Sequence, residues 1–266
     1  MTNSELTIDG EVVRKRYLRI DRGQPKREWA ALVHLHEHAP GLGARPIARD
    51  SEPPVVVMSR VEGAPFDEVL TLVQTRAMVA AYRSLYAVPV PTDMPLRVGD
   101  PAAFIAENGY WLAHERRDDL PKVMIQALDS AARWYADAPL GIEDICDLVV
   151  IQGDGNAMNM LWDGDRVSLV DFEHAGVGDL AFEVADLVEH ASSRLRSLFD
   201  PEEVIGGFSL TAAQLVRVDA YRIVLAAFWL LELLPGNPGH ERNPPGSTER
   251  QAEYLLTRIA RFNIGT

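Results

Sequence analysis

The stretch from Val149 to Glu173, Val-Val-Ile-Gln-Gly-Asp-Gly-Asn-Ala-Met-Asn-Met-Leu-Trp-Asp-Gly-Asp-Arg-Val-Ser-Leu-Val-Asp-Phe-Glu, constrains this chain more than any other. It reads as an apolar strand, a polar loop, a short strand, a turn, and a second strand ending in an acid. Asp163-Gly164, between Met160-Leu161-Trp162 and Val167-Ser168-Leu169-Val170, is a tight hairpin signal. A hairpin there returns Asp171 to the side of Asn159, and Asp154 lies in the loop that leads in. Three oxygen-bearing side chains, Asp154, Asn159 and Asp171, then converge on one pocket. A hard cation such as magnesium takes oxygen ligands, usually one or two carboxylates plus phosphate oxygens. Two of the three could hold such an ion, leaving one carboxylate as a base. The alternative is a hairpin with solvated turn acids. The apolar strands at both ends and the Asn between the acids weigh against it.

At 266 residues the chain is long enough for one large domain or two lobes, each with a core. The net charge of −13, from 39 acids against 26 bases, disfavours nucleic acid or an anionic membrane as a partner. It would attract cationic ligands, or it serves solubility alone. The single cysteine, Cys146, rules out an intrachain disulfide and fits a reducing compartment. Met1 to Glu5 is polar and acidic, and the most apolar run, Ile223 to Leu231, is too short to span a bilayer. The expectation is a soluble, cytoplasmic protein.

Along the chain, Glu5 to Ile8 and Glu11 to Tyr17 read as a hairpin about Asp9-Gly10. Alternation places Lys15 on one face with Val13 and Tyr17. It is either an edge lysine that guards against aggregation or a functional one. Gln24 to His38 reads as a helix with Pro25 in its first turn and Glu28 one turn in. Glu28 could point at Lys15 or only complement the helix dipole. His34 and His38 share a face but lack a third metal ligand, so they read as part of an amphipathic surface. Val55 to Met58 is an apolar strand. Helical patterns follow from Phe66, opened by Pro65 and Asp67, to Tyr86; from Asp100-Pro101 to Arg116; and from Pro121 to Ala136. After the central stretch come helices over Asp179 to Ser193, Thr211 to Leu233 and Thr248 to Phe262, with Pro235 to Ser247 as a loop. Asp179 can cap the first of these. Glu183, Asp186 and Glu189 are its solvated face or line a pocket.

Gly153-Asp154, four residues, Asn159, then the strand-terminal Asp171 resembles the catalytic and metal loops of the aminoglycoside phosphotransferase / choline kinase-like family, small-molecule relatives of the protein kinases. Gly176 to Leu187 is similar to the segment that follows the metal loop there. The resemblance implies an α+β, two-lobed, protein-kinase-like fold. A small antiparallel-sheet lobe over residues 1–60 would bind nucleotide, and a larger, mainly helical lobe over residues 61–266 would carry catalysis and the acceptor. It implies transfer of the γ-phosphate of ATP or GTP, with Mg²⁺, to a hydroxyl of a small molecule. The acidic balance favours a cationic acceptor, such as an aminoglycoside, a related basic antibiotic or a choline-like amine. By resemblance, Asp154 is the base and Asn159 and Asp171 hold Mg²⁺. Lys15, oriented by Glu28, holds the α- and β-phosphates. Ser59, Arg60 and Val61 form the hinge whose main chain meets the base. Glu173, Asp179, Glu183 and Asp186 are candidates for binding the acceptor's ammonium groups.

Two features depart from that pattern. Gln152 stands where the family has histidine; it keeps hydrogen bonding but loses any role that needs charge. No G-x-G-x-x-G precedes Lys15, and Gly10 is the only glycine there. These features prompt a reading from another class, a kinase-fold nucleotide-binding protein with little activity. A choline- or homoserine-type metabolite kinase is a further alternative. A protein kinase is disfavoured, because the chain lacks the His-Arg-Asp arginine and an Ala-Pro-Glu segment.

Overall fold

The computed structural model describes residues 4–115, 118–137 and 141–265. The first layer is an antiparallel sheet of β1 (Ser4–Asp9), β2 (Val12–Tyr17), β3 (Pro46–Ser51) and β4 (Pro54–Ser59), in the order β1-β2-β4-β3. Asp9 pairs with Val12, so the tight turn is Gly10-Glu11, one residue later than the sequence suggests. Gly10 supplies its left-handed conformation, with φ 56°. Lys15 faces Val56 in the β2–β4 register, between Val13 and Tyr17 on the inner face. Helix α1 (Gln24–His38) packs Ala31, Leu32 and Leu35 against this sheet and buries Glu28 among them. β3 was not expected. Pro46 is half-buried and the residues after it are exposed, so no alternation marks them as a strand.

β5 (Ala64–Pro65) and α2 (Leu72–Tyr86) correct the helix expected from Phe66. Ala64 and Pro65 pair with Trp162 and Leu161 instead. The helix begins where Thr71 and Gln74 form a capping box: Gln74 N–H donates to Thr71 Oγ1 (3.3 Å) and Thr71 N–H to Gln74 Oε1 (2.9 Å). α3 (Pro101–His114) is capped by Asp100, whose carboxylate accepts from Ala103 N–H at 2.9 Å. The end expected at Arg116 lies outside the described residues. α4 (Lys122–Ala136), β6 (Leu148–Ile151), a 3₁₀ turn at Ala157–Asn159, β7 (Met160–Trp162) and β8 (Val167–Leu169) follow.

β9 (Gly176–Asp179) pairs antiparallel with β6 and leads into α5 (Leu180–Glu189). The helix expected through Ser193 breaks at His190, whose extended backbone (φ −57°, ψ 130°) separates α5 from the short α6 (Ala191–Arg194). α7 (Pro201–Gly206), α8 (Ala212–Glu232), α9 (Pro238–Arg242) and α10 (Ser247–Gly265) complete the helical layer. α8 is the central post, with Tyr221, Ile223, Val224, Leu225 and Leu230 fully buried against α3, α5 and α10. Each such apolar side chain contributes about 1.5–3 kcal/mol of burial. Among the described residues no helix is long and apolar enough to cross a membrane.

Candidate active site

The loop that carries Asp154 leaves β6 at Gln152. This side chain is buried, accepts from Tyr82 O–H (2.8 Å) and donates from Nε2 to the carbonyl of Val170. It thereby ties α2 to the strand end that precedes Asp171. Gly153 follows with φ 80°, and a Cβ there would lie 2.5 Å from the His174 carbonyl oxygen. Only glycine fits a loop that turns left-handed and packs this closely. Asp154 is 27% exposed and is the mouth of the loop. Its Oδ1 accepts from Asn156 N–H (3.1 Å) and its Oδ2 from Asn159 Nδ2 (3.0 Å). His190 Nε2 stands 3.4 Å from Oδ1. Partial burial pushes the Asp154 carboxyl above the ordinary range; His190 opposes the shift, while Asp186 and Asp171 add to it.

The hairpin of β7 and β8 does what its sequence asks. Met160 faces Leu169, and Val170 N–H donates to the Asn159 carbonyl at 3.0 Å, so Asp171 returns beside Asn159. Asp171 itself is left-handed, with φ 63°, a conformation that aspartate tolerates better than most residues. Its Oδ1 lies 2.5 Å from Lys15 Nζ. The same ammonium is 2.8 Å from Glu28 Oε2 and 3.0 Å from Glu173 Oε2. Burial alone would lower the Lys15 pKa. Glu28, Asp171 and Glu173 outweigh it and hold the ammonium above its usual range. Glu28 is fixed in turn by Tyr17 O–H, which donates to Oε2, and by Phe172 N–H, which donates to Oε1 at 3.3 Å.

A cavity of about 380 Å³ opens between the sheet and this cluster. Val13, Met58 and Leu161 give it apolar walls, Ser59, Arg60 and Val61 its rim, and Lys15, Asn159 and Asp171 its polar end. Ser59 N–H and Arg60 N–H are engaged by the carbonyls of Arg45 (2.9 Å) and Glu11 (2.8 Å).

Three of the four acidic residues assigned to the acceptor are engaged by arginines. Asp179 is buried at the start of α5, where it accepts from Phe182 N–H (3.1 Å) and Cys146 N–H (2.7 Å) and pairs with Arg217 (3.0 Å). Glu183 and Asp186 both grip the buried guanidinium of Arg97, the latter at 3.1 Å. Arg97 is anchored by its own N–H to the Val177 carbonyl (2.9 Å) and reaches the Gly153 carbonyl at 3.5 Å. Glu173, the fourth, belongs to the Lys15 cluster. Sequence reasoning missed Arg97, His190 and Tyr17. Arg97 is a lone arginine after a proline-rich connection, and His190 a lone histidine after an apolar helix. Neither carries a local pattern.

Sheet lysine, helix glutamate, rim strand, catalytic loop and hairpin acid follow one another in the order of the two-lobed, protein-kinase-like α+β fold. Within that class the chain belongs to the phosphotransferase enzyme family, whose profile matches residues 3–221. Similar solved structures include a choline/ethanolamine kinase family protein from Mesorhizobium loti, at 17% identity over 98% of this chain and 85% of that one, with a TM-score of 0.65. The aminoglycoside phosphotransferase APH(2'')-Ib, bound to ADP, is 14% identical over 98% of this chain and 91% of the other, with a TM-score of 0.62. The GDP complex of aminoglycoside 2'-phosphotransferase-IIIa is 15% identical over 97% and 90%, with a TM-score of 0.64. At these identities the likeness is one of fold. No curated protein sequence matches the chain.

Proposed function

We propose that this chain is a Mg²⁺-dependent kinase that moves the γ-phosphoryl group of ATP or GTP to a hydroxyl of a small, cationic acceptor, with aminoglycosides and related antibiotics first and choline- or homoserine-type metabolites second. The observation that carries this reading is the Lys15–Asp171 contact at 2.5 Å, which joins the sheet to the catalytic hairpin at the polar end of one cavity. The first sixty residues would bind nucleotide and the remainder would carry catalysis and the acceptor. The purine would lie between Val13, Met58 and Leu161 against the main chain of Ser59 to Val61. Two of the similar structures hold ADP and GDP, and either purine suits such a main-chain rim.

The donor set fits magnesium. Carboxylate oxygens of Glu28, Asp171 and Glu173 lie within 4.8 Å of one another, the oxygen-rich setting that a hard cation takes. Asp171 and Asn159 would hold the ion, and magnesium there would offset charge on the nucleotide phosphates. Lys15, now paired with three carboxylates, would exchange part of that pairing for the α- and β-phosphate oxygens. Asp154 would accept the hydrogen bond of the acceptor hydroxyl, orient it in line and take its proton, a contribution on the order of 10²–10⁴ in rate.

The acidic balance of the chain, −13, favours a cationic acceptor, and a cytoplasmic setting fits its single cysteine. The weakly active nucleotide binder is the second reading, prompted by Gln152. Its side chain joins α2 to the strand end before Asp171 through both Oε1 and Nε2, which is a structural use of that position. Mg²⁺-dependent ATP and GTP consumption against aminoglycosides, peptide antibiotics, choline and homoserine tests the proposal, with Asp154→Ala alongside. Turnover that survives Asp154→Ala, or nucleotide binding with no turnover on any acceptor, would overturn it.

A further inference from the structure

His190 is the point at which the helical lobe reaches back to the catalytic loop. Its Nδ1 lies 3.2 Å from Ser192 N and 2.8 Å from Ser192 Oγ. A backbone N–H only donates, so Nδ1 is an acceptor and bears its lone pair. Ser192 Oγ in turn accepts from Ala157 N–H at 3.0 Å, which turns its own hydrogen toward Nδ1. With Nδ1 so occupied, the neutral ring carries its proton on Nε2, an assignment made from these partners. The ring plane is set by edge-on packing against Trp229, with centroids 4.7 Å apart at 75°. Nε2 lies 3.4 Å from Asp154 Oδ1. Contacts of this kind are commonly long before substrate binds and tighten in the reactive complex.

We propose that His190, anchored by Ser192, is the positioning residue for Asp154, holding Oδ1 with a neutral Nε2–H. The inference rests on the reading of Asp154 as the base. His190 exchanges no proton itself. Oδ1 accepts from Asn156 N–H and lies 3.4 Å from His190 Nε2, and Oδ2 accepts from Asn159 Nδ2. Ser192 and His190 thus hold both ends of the segment from Asp154 to Ala157, and the helix break at His190 is what brings them there.

Two substitutions separate the ring's two nitrogens. His190→Asn keeps an oxygen near Nδ1 to accept from Ser192 N–H and loses the donor to Asp154. His190→Gln places a donor near Nε2 and loses the anchor. Turnover of Mg·ATP is measured with kanamycin, gentamicin, choline and ethanolamine, and with water as acceptor. His190→Asn is expected to lower kcat about tenfold, the lower end for partners that orient a functional group. Its KM for ATP and its Tm should hold, and His190→Gln should recover most of kcat. In an Asp154→Asn background, His190→Asn should add nothing. A kcat within twofold of the parent in His190→Asn would overturn the inference, as would equal losses in both variants that follow Tm. If Asp154→Asn keeps full turnover, the base reading itself fails. If Asp154→Asn is dead and His190→Asn is normal, only the role of His190 falls. A ¹⁵N side-chain spectrum gives a reading without turnover, with His190 assigned by its loss in His190→Asn. The Nε2-protonated tautomer, with an Nε2 signal that moves in Asp154→Asn, is expected. The Nδ1-protonated tautomer, or an unmoved signal, would overturn the proposal.

Discussion

Lys15 Nζ lies 2.8 Å from Glu28 Oε2, with the two side chains 4% and 1% exposed. Truncating one partner of a buried ion pair strands the other charge and typically costs about 3–5 kcal/mol. Lys15→Met removes the cation shared by Glu28, Asp171 and Glu173, so it should lower Tm and abolish nucleotide binding together. Lys15→Met with Glu28→Met should regain part of the Tm, since Asp171 and Glu173 stay without their cation and Tyr17 O–H and Phe172 N–H lose their acceptor, and none of the binding. Calorimetry beside an ATP titration checks both. Recovery of ATP affinity in the double variant would show that Lys15 serves the fold alone.

Gly153→Ala places a Cβ where the His174 carbonyl oxygen would be 2.5 Å away, at a residue with φ 80°. The left-handed conformation alone costs a non-glycine residue about 1–2 kcal/mol, and the contact forces the loop off His174. A displacement of about 1 Å at the reacting group can cost on the order of 10² in rate. Turnover should therefore fall at least that far while ATP affinity stays near the parent value, since the rim and Lys15 lie on the other lobe. Steady-state kinetics with equilibrium nucleotide binding decides it. An unchanged kcat would mean that the loop relaxes without moving Asp154.

The hairpin of β7 and β8 was legible because its constraints are local. A tight turn, apolar strands and an acid at the strand end fix where Asp171 returns, and the structure places it beside Asn159. The Lys15–Glu28 pair needed the family resemblance, since alternation alone left a lysine on an inner face with several uses. Asp179 was legible as the cap of its helix, whereas Glu183 and Asp186 were left as a solvated face or a pocket lining, because a helical wheel shows spacing and not neighbours. Their partners, Arg217 and Arg97, come from segments far along the chain and carry no pattern. The start of α2 was misplaced for another reason. Pro65 and Asp67 look like a helix opening, yet Pro65 pairs with Leu161 and the Thr71–Gln74 box sets the helix start. The break at His190 had no glycine or proline to announce it.

Gln152 joins Tyr82 O–H to the Val170 carbonyl in a buried setting. Gln152→Leu would leave both groups unsatisfied, at about 1–3 kcal/mol each. Adding Tyr82→Phe removes one of the orphans, so the double variant should be more stable than the sum of the singles predicts. Chemical denaturation of the four proteins gives the coupling. Strict additivity would mean that the Tyr82–Gln152 bond contributes nothing to stability.

Glu183 sits 5% exposed against Arg97, and burial pushes its carboxyl from the ordinary 4.5 up to about 7, Arg97 notwithstanding. The sign follows from proton counting. Between pH 4.5 and 7 the folded chain holds a proton on Glu183 that the unfolded chain has released. Stability linked to this group is therefore full below the unfolded value and is lost as pH rises through the folded one. Glu183→Gln cannot titrate, so the unfolding free energy of the parent minus that of Glu183→Gln should fall as pH rises across this window and level off above it. Urea titrations at steps of pH would show the slope. A difference that rises with pH would mean that the Arg97 ion pair outweighs burial and holds Glu183 ionised throughout.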